Sequence, residues 1–86
     1  MFRVRWSKSA RDELTLLWIS AASAARKEIT VASQSVDLKL SANPVGVGES
    51  READDYRILF EGPLTVYYHV DGTKSSVTVV QVLARV

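Results

Sequence analysis

The sequence predicts a single α+β domain: an N-terminal strand, a two-helix hairpin, and an antiparallel β-sheet whose apolar face meets the helices. Three observations carry this. Residues 2–6 alternate apolar with basic, residues 10–40 repeat apolar side chains at helical spacing, and residues 56–83 fall into three β-rich runs separated by turn residues. With 86 residues the chain makes one domain, 1–86, which should bury about 60% of the surface its unfolded form exposes.

In the first strand Phe2, Val4 and Trp6 point one way and Arg3 and Arg5 the other. Ser9 with Asp12 fits a capping box, and Ser7 is a competing N-cap. Ala10, Leu14, Leu17, Trp18 and Ala21 form the apolar stripe of a first helix. The serines of SAASAA, residues 20–25, offer a place to break and recap, so a hairpin is expected, although periodicity alone also allows one bent helix. The second helix, about Ala24 to Ala42, carries Ile29, Ala32, Val36 and Leu40 along one face. It stops before Asn43-Pro44, because proline disfavours helical geometry in its predecessor. Residues 43–55, NPVGVGESREADD, combine a proline, two glycines and several acids and read as a solvated loop. The three runs that follow, Tyr56–Phe60, Leu64–Val70 and Val77–Leu83, read as a meander turned by EGP and DGTKSS.

Composition excludes several classes. There is no cysteine and only one histidine, so neither a disulfide nor a zinc site of the usual ligands can form, and no metal or cofactor is expected. MFRVRWSKS lacks the apolar run of a signal peptide and no segment reaches about 18 apolar residues, so a cytoplasmic protein with no membrane partner is expected. Net charge is only +1. A general phosphate binder usually carries a clear basic excess.

Strand parity gives the candidate site. In the middle run Leu64, Val66, Tyr68 and Val70 share one face, expected against the helices, and Thr65, Tyr67 and His69 share the other. Ile58, Phe60, Val80 and Val82 are expected to complete the core. The outward face would then carry Arg57, Tyr67, His69, Gln81 and Arg85, mixed with an apolar strip of Leu59, Val77, Val79 and Leu83, the kind of strip that marks a partner surface.

The order of elements, with VRWSKSARDEL at the start, Leu17-Trp18, VDLKLSANP (36–44), GESR (48–51), YRILFEGPLTVYYHV (56–70) and VTVVQV (77–82), resembles the RelE/ParE toxins of bacterial type II toxin-antitoxin pairs. The resemblance implies two helices packed on one face of a twisted antiparallel sheet and a cognate antitoxin that wraps the toxin. It implies one of two activities. RelE-like members cut messenger RNA on the ribosome with basic residues and a tyrosine on the sheet, whereas ParE-like members inhibit DNA gyrase. Of the ribonuclease positions, Arg57 and Arg85 match, while two basic positions fall on Leu59 and Thr65, and the C-terminal tyrosine or histidine of some members has no counterpart. A third possibility is a toxin fold that only binds its antitoxin.

On the ribonuclease reading, Arg57, Arg85 and Arg51 bind the scissile phosphate, His69 or Tyr67 takes the 2′-OH proton, and Gln81 orients the substrate. Histidine suits the task because its unperturbed pKa lies near neutrality. Each residue also has a structural reading. His69 and Tyr67 are ordinary strand residues, Arg85 sits near a chain end, and Arg51 can tie down Glu49, Asp54 or Asp55, each exposed pair contributing at most about 1 kcal/mol. Trp6, Trp18 and Tyr68 read as core.

Overall fold

In a computed structural model of the chain, residues 1–51 and 53–85 are described, with the side chains of all of these but 51, 53 and 54. The elements are β1 (Arg3–Trp6), α1 (Lys8–Ser20), α2 (Ser23–Ala42), α3 (Pro44–Val47), β2 (Glu49–Arg51), β3 (Ala53–Glu61), β4 (Leu64–Asp71) and β5 (Ser76–Ala84). Ser7 is the cap of α1, its Oγ accepting from the Ala10 amide at 3.1 Å. Asp12 instead pairs with Lys8 one turn back, at 2.9 Å.

The helices form a hairpin rather than one bent rod. Arg26 holds the break: its Nε and Nη2 donate to the carbonyls of Trp18 and Ile19 in the last turn of α1, at 2.9 and 3.0 Å, the Trp18 carbonyl also accepting from the Ala21 amide. The same guanidinium lies 4.5 Å over the Trp18 ring, and Trp18 is half-exposed rather than core. The stripe predicted for α2 is buried throughout, at Ile29, Ala32, Val36 and Leu40.

The sheet has five strands in the order β1-β5-β4-β3-β2. The predicted meander is its centre. Two features depart from expectation: β1 joins β5 in parallel, and the stretch read as a loop contains the short helix α3 and the edge strand β2, antiparallel to β3. Both helices lie on one face, over a core of Leu59, Leu64, Val66, Tyr68, Val70, Val77, Val79 and Val82.

That core corrects the parity prediction in two strands. The β3–β4 turn is only Gly62-Pro63, with Gly62 at φ +51°, so Glu61 pairs directly with Leu64 and shares its face. Leu59 and Arg57 therefore face the helices, opposite Val66 and Tyr68, while Ile58 and Phe60 face away. In β5 the pairing shifts between Tyr67↔Gln81 and Tyr68↔Val79, leaving Val80 as the extra residue of a bulge. Before it Val77 and Val79 face the helices; after it Val82 does. The expected outward strip of Leu59, Val77 and Val79 is thus buried, and Phe60 and Val80, expected in the core, are exposed. Helix α1 braces the bulge: Glu13 Oε1 accepts from the Val82 amide at 2.9 Å, and the Ser7 amide donates to the Val79 carbonyl.

Candidate functional site

Because directly paired residues share a face, the register lays out the open side of the sheet in rows. One row holds Arg3, Ser76 and Asp71, and the next Arg5, Thr78, His69 and Tyr56. Gln81, Tyr67 and Ile58 follow, then Leu83, Thr65 and Phe60. Strands about 4.8 Å apart and residues rising about 3.3 Å along each strand set the scale of the grid.

Tyr67, His69, Gln81 and Arg85 all belong to this face, as expected. Tyr67 and Gln81 are cross-strand neighbours. His69 Nε2 lies 3.0 Å from Asp55 Oδ2, and the imidazole sits against Tyr56 with ring centroids 4.8 Å apart. If Nε2–H donates to the carboxylate, Nδ1 is left as the acceptor of the ring. Arg85 stands over the Phe60 ring at 5.2 Å, and its amide donates to the Pro63 carbonyl. Its backbone is therefore at the level of residue 63, while its guanidinium lies over the row of Thr65, about 13 Å along β4 from His69. Arg85, Tyr67, Phe60, Thr65 and Leu83 line a depression of about 480 Å³.

Arg57 is not part of this face. Paired with Tyr68, it points to the helical side, where Nη2 donates to the Gly48 carbonyl at 2.7 Å and Nη1 to Ser50 Oγ at 3.1 Å, while its buried Nε has no hydrogen-bond partner among the described residues. The fully buried Tyr68 hydroxyl donates to the Pro44 carbonyl. Burial pushes the Tyr68 phenol above its ordinary pKa, against the opposing pull of the neighbouring Arg57 guanidinium. Gly48 completes this lock through close approach, since a Cβ there would meet Tyr68 Oη at 2.0 Å and the Ile58 carbonyl at 2.9 Å. The glycine of GESR thus seats the segment on the sheet. The side chain of Arg51, offered as a phosphate contact, lies outside the described residues.

Sequence reasoning missed Tyr56, which shares the row of His69, the Asp55 carboxylate beside it and three cations at the β1 end of the open face. Asp55 was read only as a loop acid. Arg3, Arg5 and Lys74 line, with His69, Asp71, Ser76 and Thr78, a depression of about 580 Å³. The alternation of β1 shows that its arginines share a face, but only the parallel pairing with β5 brings them beside His69. Among the described residues no cluster of His, Asp and Glu could hold a metal ion, and no helix is long and apolar enough to cross a membrane.

A helix hairpin covers one face of a five-stranded sheet and leaves the other face, bearing tyrosine, histidine and arginine, uncovered. This is the fold of the RelE and ParE toxins. The chain is similar to a chain of the toxin-antitoxin complex RelBE2 from Mycobacterium tuberculosis, at 22% identity and TM-score 0.74, covering 98% of each chain. It is similar to the isolated E. coli RelE toxin at 16% identity and TM-score 0.68, covering 100% of this chain and 86% of that one. A chain of the chromosomal ParDE system from P. aeruginosa matches at 17% identity and TM-score 0.65, covering 98% and 96%. No protein-family model matches the chain, and no curated protein does. The resemblance read in the sequence holds at the level of the fold, and a fold by itself does not set an activity.

Proposed function

We propose that the protein is the toxin of a type II toxin-antitoxin pair, held inactive by a cognate antitoxin, and that it acts as a ribosome-dependent messenger RNA endonuclease through the open face of its sheet. One observation carries the activity: His69, on that face, is paired with Asp55 and stands two residues along β4 from Tyr67, whose cross-strand neighbour is Gln81. A carboxylate on Nε2 fixes the tautomer, so that Nδ1 can take the 2′-OH proton as the 2′-oxygen attacks phosphorus. Tyr67 is placed to give a proton to the departing 5′-oxygen, and Gln81 to orient the strand. Arg85 is too far from His69 to share one phosphate with it, so its place is at a neighbouring nucleotide. Arg57 has no part in this chemistry and serves to hold the 44–51 segment.

The test is induction of the protein without its antitoxin in a bacterial host, beside His69→Ala and Asp55→Asn variants. Arrest of translation with cut transcripts is expected for the parent, abolished by His69→Ala and weakened by Asp55→Asn. If both variants arrest growth like the parent, the site is wrong.

A second reading, a non-catalytic toxin that inhibits DNA gyrase, draws on a different observation. Arg57 and Arg85 lie on opposite faces, and the exposed Phe60 and Leu83 give the open face an apolar end suited to protein contact. Induction would then produce filamentous cells and a DNA-damage response with transcripts intact.

A further inference from the structure

We infer that Arg3, Arg5 and Lys74 form a phosphate-binding subsite that seats the backbone of single-stranded RNA at the β1 end of the open face, with its bases directed across the sheet toward His69, Tyr56 and Tyr67. The inference deepens the endonuclease reading and rests on it for the choice of RNA.

Several cations of the fold are used internally: Lys8 by Asp12, Lys39 by Glu61, Arg26 by the end of α1, and Arg57 by Gly48 and Ser50. Arg3, Arg5 and Lys74 are different. All three are exposed, and among the described residues their side chains have no hydrogen-bond or ion-pair partner. They nevertheless converge on one depression of about 580 Å³, which also offers the hydroxyls of Ser76 and Thr78. Its carboxylate, Asp71, is already engaged, with Oδ1 accepting from the Lys74 amide at 3.1 Å.

The geometry suits a strand of phosphates. Arg3 and Arg5 emerge from the same side of β1, about 6.6 Å apart, so each can meet a different phosphate. Arg5 shares its row with His69, two strands or about 10 Å away, a gap that a nucleotide spans. A phosphate held by Arg5 therefore leaves its sugar and base over His69, Tyr56 and Tyr67, where aromatic faces stack bases without regard to sequence. This supplies the cation that the proposed chemistry lacks once Arg57 is turned away and Arg85 is distant. It also explains how a chain of net charge +1 can bind a polyanion: three of its unpaired cations are gathered at one end of one face.

The test uses the purified protein and a fluorescently labelled 2′-O-methyl oligoribonucleotide, which cannot be cut because its 2′-oxygen is blocked. Affinity is measured by fluorescence anisotropy over a range of salt concentrations. Each phosphate contact to a single strand contributes about 0.7 to the slope of log K against log salt. Arg3→Gln/Arg5→Gln is expected to weaken binding at least about tenfold and to flatten the slope by about 1.4, and Lys74→Gln by about a further 0.7. The control, Lys8→Gln/Lys27→Gln, removes the same charge from the helices and should stay within about twofold of the parent. Circular dichroism establishes that each variant is folded, and the exposed single variants Arg3→Gln and Arg5→Gln give the same reading in smaller steps. The inference is overturned if the β1 variant binds like the parent, if the helix control loses as much, if the parent does not bind at low salt, or if duplex DNA binds more tightly. A parent that binds the oligonucleotide through these residues but cuts no transcript in cells supports the subsite and removes the cleavage reading.

Discussion

Replacing Gly48 by alanine tests whether the GESR segment is held by close packing on Tyr68. The added methyl would stand 2.0 Å from Tyr68 Oη, 2.9 Å from the ring carbon that carries it and 2.9 Å from the Ile58 carbonyl. The tyrosine is fully buried and the carbonyl belongs to a paired strand, so neither can swing aside freely. Overpacking a core of this kind costs about 1–3 kcal/mol. Driving the hydroxyl off the Pro44 carbonyl leaves a buried polar group unpaired, for about 1–3 kcal/mol more. The sum, about 2–6 kcal/mol, is a large share of the roughly 4–13 kcal/mol available to a domain of this size. At about 4–8 °C per kcal/mol, Tm should fall by about 8 °C or more. Urea unfolding followed by the fluorescence of Trp6 and Trp18 measures it, and a double-mutant cycle with Tyr68→Phe isolates the cause. Phenylalanine removes the atom nearest the new methyl, so Gly48→Ala should cost at least about 1 kcal/mol less in that background. Simple additivity of the two changes would refute the argument.

Two further outcomes follow from the lock and the bulge. Because the folded pKa of Tyr68 is raised above its unfolded value near 10, its contribution to stability is fully present below about pH 10 and is lost as pH rises from there through the folded pKa. The urea midpoint of the parent should therefore drop in that window, and Tyr68→Phe should drop less; parallel curves would sink the idea. Glu13→Ala, which strips the acceptor from the Val82 amide, should cost about 1–3 kcal/mol and speed exchange of that amide by NMR. Glu13→Gln keeps a carbonyl oxygen in place and should retain most of the stability, and equal losses in the two variants would remove the bracing role.

Much of this architecture is legible in residue order because each signal is local. The stripe of α2, the break at residues 20–23, the stop before Pro44 and the buried face of β4 each follow from side chains within one or two turns or within one strand. What could not be read is non-local. Nothing in the alternation of β1 says that it pairs in parallel with the last strand, since that depends on where the helix hairpin returns the chain. The strand inside GESR was hidden by the glycines before it, Gly46 and Gly48, of which Gly48 is required by Tyr68, twenty residues later.

The candidate site shows the same division more sharply, because a parity error of one residue moves a side chain through the sheet. Choosing the faces of β3 by hydrophobicity favours Ile58 and Phe60 as core, yet Leu59 is equally apolar and the two-residue turn at Gly62-Pro63 decides between them by forcing Glu61 opposite Leu64. Arg57 then goes with Leu59 to the helical side. In β5 one inserted residue, Val80, allows Val77 and Val79 to face the helices while Gln81 and Leu83 face away, so an unbroken alternation is wrong for half the strand whichever face it starts on. The turn length was visible at EGP and could have been used. The bulge was not, because the groups that hold it, Glu13 and Ser7, come from a helix some seventy residues earlier. Tyr67, His69, Gln81 and Arg85 survive these shifts because β4 anchors the parity of the centre and because the bulge lies before Gln81. A chemistry built on them, with Asp55 and the β1 arginines in place of Arg57, therefore depends on the register that the turn and the bulge impose.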